Sequence, residues 1–148
     1  MRPEALRRWT VDDSAELYGI RNWGAGYFDI SAKGHILVRP RGAESDTTID
    51  LHEIVEDLDR RGLCTPVLLW FADILGSQIR LINQSFSKAI VEAHYNGAYR
   101  GVYPIKVNQK YQLVQDIITM GRPYHHGLEA GSKAELIAAV ACMEDPEA

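Results

Sequence analysis

The chain has 148 residues, 46% of them hydrophobic and 24% charged, which suits one ordinary globular domain with a real core. Its net charge is −4, and the sixteen Lys and Arg are scattered, with neither a basic stripe nor aromatic–basic interleaving, so a nucleic-acid surface is not expected. Asp and Glu are equally dispersed, so no acidic tail is expected.

Cys64 and Cys142 form no CxxC pair and read as reduced thiols of a cytoplasmic protein. The charged start, Met1 to Trp9, has no apolar stretch behind it and does not read as a signal peptide. The apolar run Pro66–Phe71 is too short to cross a membrane. No repeat of fixed period and no low-complexity linker is visible.

Residues 1–49 lean toward β structure. Tyr27–Ile30 and His35–Arg39 are β-prone runs joined by Ser31-Ala-Lys-Gly34, where glycine suits a positive φ, and together they predict a hairpin. Residues 40–46 read as an exposed loop. From Asp50 the pattern changes to alternating helices and strands. Leu51, Ile54, Val55 and Leu58 share a helical face, with Asp50 and Glu53 resembling a capping box and Gly62 a stop. Pro66-Val-Leu-Leu-Trp-Phe71 predicts a strand covered on both faces. A long helix over 72–95 should turn Leu75, Ile79, Ile82, Phe86, Ile90 and Ala93 to the core.

A strand over 101–107 follows, with Pro104 as an irregularity, because proline gives a ladder no N–H. Next come a helix with Val114, Ile117 and Ile118 that stops at Gly121, and a short strand over 124–129. The last helix opens on Ser132-Lys-Ala-Glu135, a capping box, with Leu136, Ala139, Val140 and Met143 on its apolar face. Three such strand–helix units predict an α/β fold with a parallel sheet. A sheet this small leaves edges unpaired, which predicts a fragment of something larger.

Lys106 carries the most chemistry. It sits near a predicted strand end, where α/β proteins place their sites. A partly desolvated amine there can act as a Schiff-base nucleophile. On position alone the ordinary reading is a lysine whose stem packs while its ammonium reaches water. Glu129 ends the next strand and would lie near Lys106 if the strands are neighbours, since parallel strands sit about 4.8 Å apart. The ordinary reading there is a solvated carboxylate helped by a helix N-terminus. Gly131 and Ser132 could hold a phosphate, although a helix cap is the simpler role for Ser132. His125 and His126 should point to opposite faces of a strand and so make a poor metal pair. Tyr95, Tyr99 and Tyr103 read as packing residues. Neither GxGxxG, a P-loop, GxSxG nor HExxH is present.

Three blocks resemble one known family. They are Asp13-Ser-Ala-Glu-Leu-Tyr-Gly-Ile-Arg-Asn-Trp-Gly-Ala-Gly-Tyr-Phe-Asp-Ile30, Val102-Tyr-Pro-Ile-Lys-Val-Asn-Gln109 and Gly127-Leu-Glu-Ala-Gly-Ser-Lys-Ala-Glu-Leu136. Together they resemble biosynthetic arginine decarboxylase, over nearly all of the chain. The shorter core, Lys106 with Val107 and Asn108, is shared more loosely with other decarboxylases and racemases of the same pyridoxal-phosphate fold type.

The resemblance implies a (β/α)8 barrel paired with a β domain. Residues 1–49 would be a piece of the β domain, and residues 50–148 about three strand–helix units of the barrel, so the chain would be an amino-terminal fragment with little activity alone. It implies pyridoxal 5'-phosphate on Lys106, with Asn108 and Glu129 beside the cofactor, and magnesium with no assignable ligand. The implied reaction takes L-arginine to agmatine and carbon dioxide in polyamine synthesis. The implied assembly is a homo-oligomer with a shared active site. The alternatives are another pyridoxal-phosphate decarboxylase or racemase of that fold, or a non-catalytic module that binds a partner or the free cofactor.

Overall fold

The computed structural model describes residues 7–43 and 45–148. Most of the charged start, residues 1–6, and Glu44 in the 40–46 loop lie outside the described residues. The fold is α/β and divides into two compact units, one ending at Phe71 and the other beginning at Ala72. Residue 50, where the sequence changes pattern, is where β3 passes directly into α3.

The first unit holds helices α1 (Val11–Leu17) and α2 (Ile20–Trp23), strands β1 (Phe28–Ile30), β2 (Ile36–Val38) and β3 (Ile49–Asp50), and helix α3 (Leu51–Arg60). The strands form one antiparallel sheet in the order β1-β2-β3, with Phe28 opposite Val38 and Ile30 opposite Ile36. The predicted hairpin is present, and Gly34 turns it with φ +85°. Val38 is fully buried.

The two short helices ahead of the hairpin correct the β reading of residues 1–49. Their signal lies in Thr10-Val-Asp-Asp13: the Thr10 hydroxyl accepts from the Asp13 N–H, and the Asp13 carboxylate accepts from the Thr10 N–H. This capping box uses Asp where Glu or Gln is usual. Helix α3 starts as its pattern predicts, on Asp50, whose side chain accepts from the His52 N–H. Gly62, with φ +74°, follows its end.

The run Pro66–Phe71 is not a strand. Apolar content signals burial, but a strand also needs a hydrogen-bonding neighbour. No ladder forms on this run, and Leu68 and Trp70 are exposed.

The second unit contains α4 (Ala72–Glu92), β4 (Val102–Pro104), α5 (Tyr111–Gly121), β5 (Gly127–Glu129) and α6 (Lys133–Cys142). Strands β4 and β5 are parallel, as predicted, and α5 connects them. The core gathers Ile79 of α4 with Leu113 and Ile117 of α5, and Leu75, Tyr103, Met120 and Tyr124 pack against it. Burying one such isoleucine contributes roughly 1.5–3 kcal/mol.

The helical faces are only partly as expected. Ile79 is buried, but Ile82 and Phe86 of α4, and Leu136 and Val140 of α6, are exposed, while Ala139 is buried. Periodicity identifies an apolar stripe but not how much of it a neighbour covers. Phe86 instead stacks on Tyr99, with ring centroids 4.0 Å apart and planes 5° apart.

Candidate active site at the ends of two parallel strands

The predicted strand over 101–107 is shorter than its sequence suggests. The ladder pairs Val102 with Gly127, Tyr103 with Leu128 and Pro104 with Glu129, and stops there. Beyond Glu129 the chain turns toward α6, so residues 105–107 have no neighbour in β5. They curl into a 3-10 turn instead. Pro104 therefore sits at the end of the strand, where a missing N–H costs little.

Lys106 is the middle residue of that turn and not part of the strand. Ile105, at 3% exposure, anchors the turn to the core, while Lys106 and Val107 face outward. The amine is thus presented just past the C-terminal end of β4. Glu129 is half-buried at the same end of β5, opposite Pro104. The parallel register brings Lys106 and Glu129 to one end of the sheet, as the spacing predicts.

Asn108 closes the turn with extended backbone. Its side-chain oxygen accepts from the Lys110 N–H at 3.1 Å, and its carbonyl accepts from the Tyr103 hydroxyl at 3.3 Å. Both oxygens are therefore engaged by the protein, and Asn108 shapes the path from the turn into α5. This structural bond was not legible in the sequence, which marked Tyr103 only as a packing residue.

On the other strand, the Ser132 hydroxyl accepts from the Glu135 N–H at 3.2 Å and caps α6. The Glu135 carboxylate accepts from the Gly131 N–H at 2.7 Å, one residue earlier than in the usual reciprocal box. The Gly131 N–H is thus spent on the Glu135 carboxylate, whereas the Ser132 hydroxyl, which accepts in the cap, keeps its O–H as a donor. A cavity of about 310 Å³ opens between the α5 and α6 sides of the unit, lined among others by Ile105, Gln109, Val114, Ser132 and Glu135, and neither Lys106 nor Glu129 lines it.

His125 and His126 precede β5 and lie at its opposite end. His125 adopts φ +51°, and its Nδ1 lies 2.9 Å from Asp145 Oδ2. His126 is half-buried, its Nδ1 has no partner, and burial pushes its pKa below the usual imidazole range. Among the described residues no group of three or more His, Cys, Asp or Glu side chains is arranged to hold a metal ion. Among those residues, too, no helix is long and apolar enough to cross a membrane.

No family model matches the chain. Individual proteins do. The chain is 49% identical over 143 residues to the biosynthetic arginine decarboxylase of Gloeobacter violaceus, which covers 97% of this chain and 22% of that protein. It is 45% identical over 148 residues to biosynthetic arginine decarboxylase 1 of a Synechocystis species, covering 98% of this chain and 21% of that one. Among solved structures it is similar to the biosynthetic arginine decarboxylase SpeA from Campylobacter jejuni, with a TM-score of 0.78 and 36% identity, over 88% of this chain and 21% of the other. The chain spans about a fifth of the length of these relatives. Over nearly its whole length in sequence, and over 88% of it in fold, the chain is similar to a segment of biosynthetic arginine decarboxylases.

Proposed function

We propose that these residues supply the cofactor-bearing strand ends of an arginine decarboxylase, an enzyme that converts L-arginine to agmatine and carbon dioxide with pyridoxal 5'-phosphate. The observation that carries the reading is the outward-facing Lys106 on a turn at the C-terminal end of a parallel strand, within a chain 45–49% identical to named arginine decarboxylases. In this reading residues 1–49 belong to a β domain, and residues 50–148 begin a (β/α)8 barrel.

The donor set fits one attachment point for the cofactor. Lys106 supplies a primary amine that would hold the cofactor by condensing with its aldehyde group, the aldehyde oxygen leaving as water. When bound, pyridoxal phosphate supplies the electron sink that lets the α-carboxylate leave. Glu129 places a carboxylate at the same end of the sheet, where it favours the protonated form of a nearby nitrogen. Ile105 and the core beneath it fix the turn, so that the amine is held in place before substrate arrives. The remaining cofactor and substrate contacts belong to segments of the relatives that this chain does not span. A homo-oligomer with a shared site is part of the same reading.

The test is reductive trapping. The full-length protein is incubated with pyridoxal 5'-phosphate, reduced with borohydride and peptide-mapped, and carbon dioxide release is compared across L-arginine and other amino acids. Label on Lys106 and preference for L-arginine are expected. Label on another lysine, retained in Lys106→Ala, sinks the cofactor assignment. Faster release from a different amino acid sinks the substrate assignment.

A further inference from the structure

We infer that Tyr103 is a positioning residue for Lys106, its hydroxyl clamping the turn that carries the lysine. The inference rests on the reading of Lys106 proposed above. Tyr103 lies in β4, paired in register with Leu128, and its ring packs against the core of Ile79, Leu113 and Ile117. Its hydroxyl leaves that core and donates to the Asn108 carbonyl at 3.3 Å. The bond therefore spans residues 103 to 108 and encloses the 3-10 turn with Lys106 at its centre.

Short 3-10 turns have poorer internal hydrogen-bond geometry than α-helices, so an external tie matters more to them. One side of this turn is anchored by buried Ile105. The other side carries outward-facing Lys106 and Val107, and the Tyr103 hydroxyl fixes the residue that follows them. At 3.3 Å the Tyr103 bond is longer than a typical O–H···O bond, so the effect on Lys106 is modest rather than absolute.

The variant Tyr103→Phe keeps the ring in the core and removes only the hydroxyl. In the full-length protein, the rate of borohydride-trapped attachment of pyridoxal 5'-phosphate is measured separately at Lys106, Lys110 and Lys133, with amide hydrogen exchange at residues 105–108. The expected result is a roughly two- to fivefold slower attachment at Lys106, the scale of losing one neutral hydrogen bond. Attachment at Lys110 and Lys133 should be unchanged, and exchange at Val107 and Asn108 faster. A wild-type rate at Lys106, or equal slowing at all three lysines, overturns the inference, because ring packing alone would then be the role of Tyr103. If the unsubstituted protein labels a lysine other than Lys106, the cofactor reading fails instead; unchanged exchange at 107 and 108 would then overturn the clamp on its own.

Discussion

Pro104 and Glu129 stand opposite one another as the last residue pair of two parallel strands. Past that pair the two chains part. One curls into the turn bearing Lys106, the other into the cap of α6. Removal of the amine should therefore remove the chemistry without removing the fold. Lys106 is exposed, so Lys106→Ala should shift stability by no more than about 0.5 kcal/mol. If Lys106 carries the cofactor as proposed, decarboxylation by the full-length protein should fall by roughly a thousandfold or more, as when a nucleophile is lost. Steady-state kinetics beside denaturant unfolding checks both halves.

The α6 cap gives a second expectation. Ser132→Ala removes the acceptor for the Glu135 N–H, and a lost N-cap costs about 0.5–2 kcal/mol. Helix α6 follows Glu129 by only a few residues, so local hydrogen exchange in 130–136 should rise more than exchange in α4. Uniform acceleration across the whole second unit would contradict a local role for the cap.

Gly121 and His126 form a tight contact. A Cβ at position 121 would lie 2.5 Å from His126 Cβ, and one at position 101 would lie 2.5 Å from ring atoms of the same histidine. The backbone of Gly121 has φ −82°, so the objection to a larger residue there is steric and not conformational. Gly121→Ala should cost about 1–3 kcal/mol, as overpacking does. Urea unfolding midpoints provide the measurement, and a stability equal to that of the parent would refute the contact.

His126 also sets a pH dependence. Burial lowers its pKa in the folded state below the ordinary value of 6.5, so the unfolded chain binds its proton more readily. Stability therefore increases with pH through the window below 6.5 and is lost as pH falls from 6.5 toward the lower folded value. Nδ1 has no partner to offset protonation. Unfolding measured across that window should show the slope, and His126→Gln should flatten it.

Asp50 works at lower pH. Desolvation pushes its carboxyl up, but the His35 ring at 2.8 Å and the His52 and Glu53 N–H groups outweigh it, and the net pKa lies below 3.8. The stability it contributes is present above the unfolded value of 3.8 and is lost as pH falls through the folded one. Asp50→Ala should destabilise the first unit at neutral pH through the lost cap of α3. Circular dichroism during acid titration of the variant should lack the parent's low-pH step in α3.

The sequence by itself determined the local elements whose signals are local. The hairpin turn at Gly34, the caps at Asp50 and Ser132 and the end of α5 at Gly121 depend on residues within a few positions of one another. The identity of Lys106, Asn108 and Glu129 as candidate residues was legible in the same way, from their place in short blocks. Tertiary structure decided what depends on a neighbour. Pro66–Phe71 reads as a strand but gains no ladder, and the strand expected to reach Val107 stops at Pro104 because β5 stops at Glu129. Half of the apolar stripe on α4 stays exposed, because periodicity cannot say which side is covered. The tie from the Tyr103 hydroxyl to the Asn108 carbonyl exists only once the chain turns back on itself around Lys106. Hydrogen bonds and burial are properties of pairs, and a single position in a sequence carries only one member of each pair.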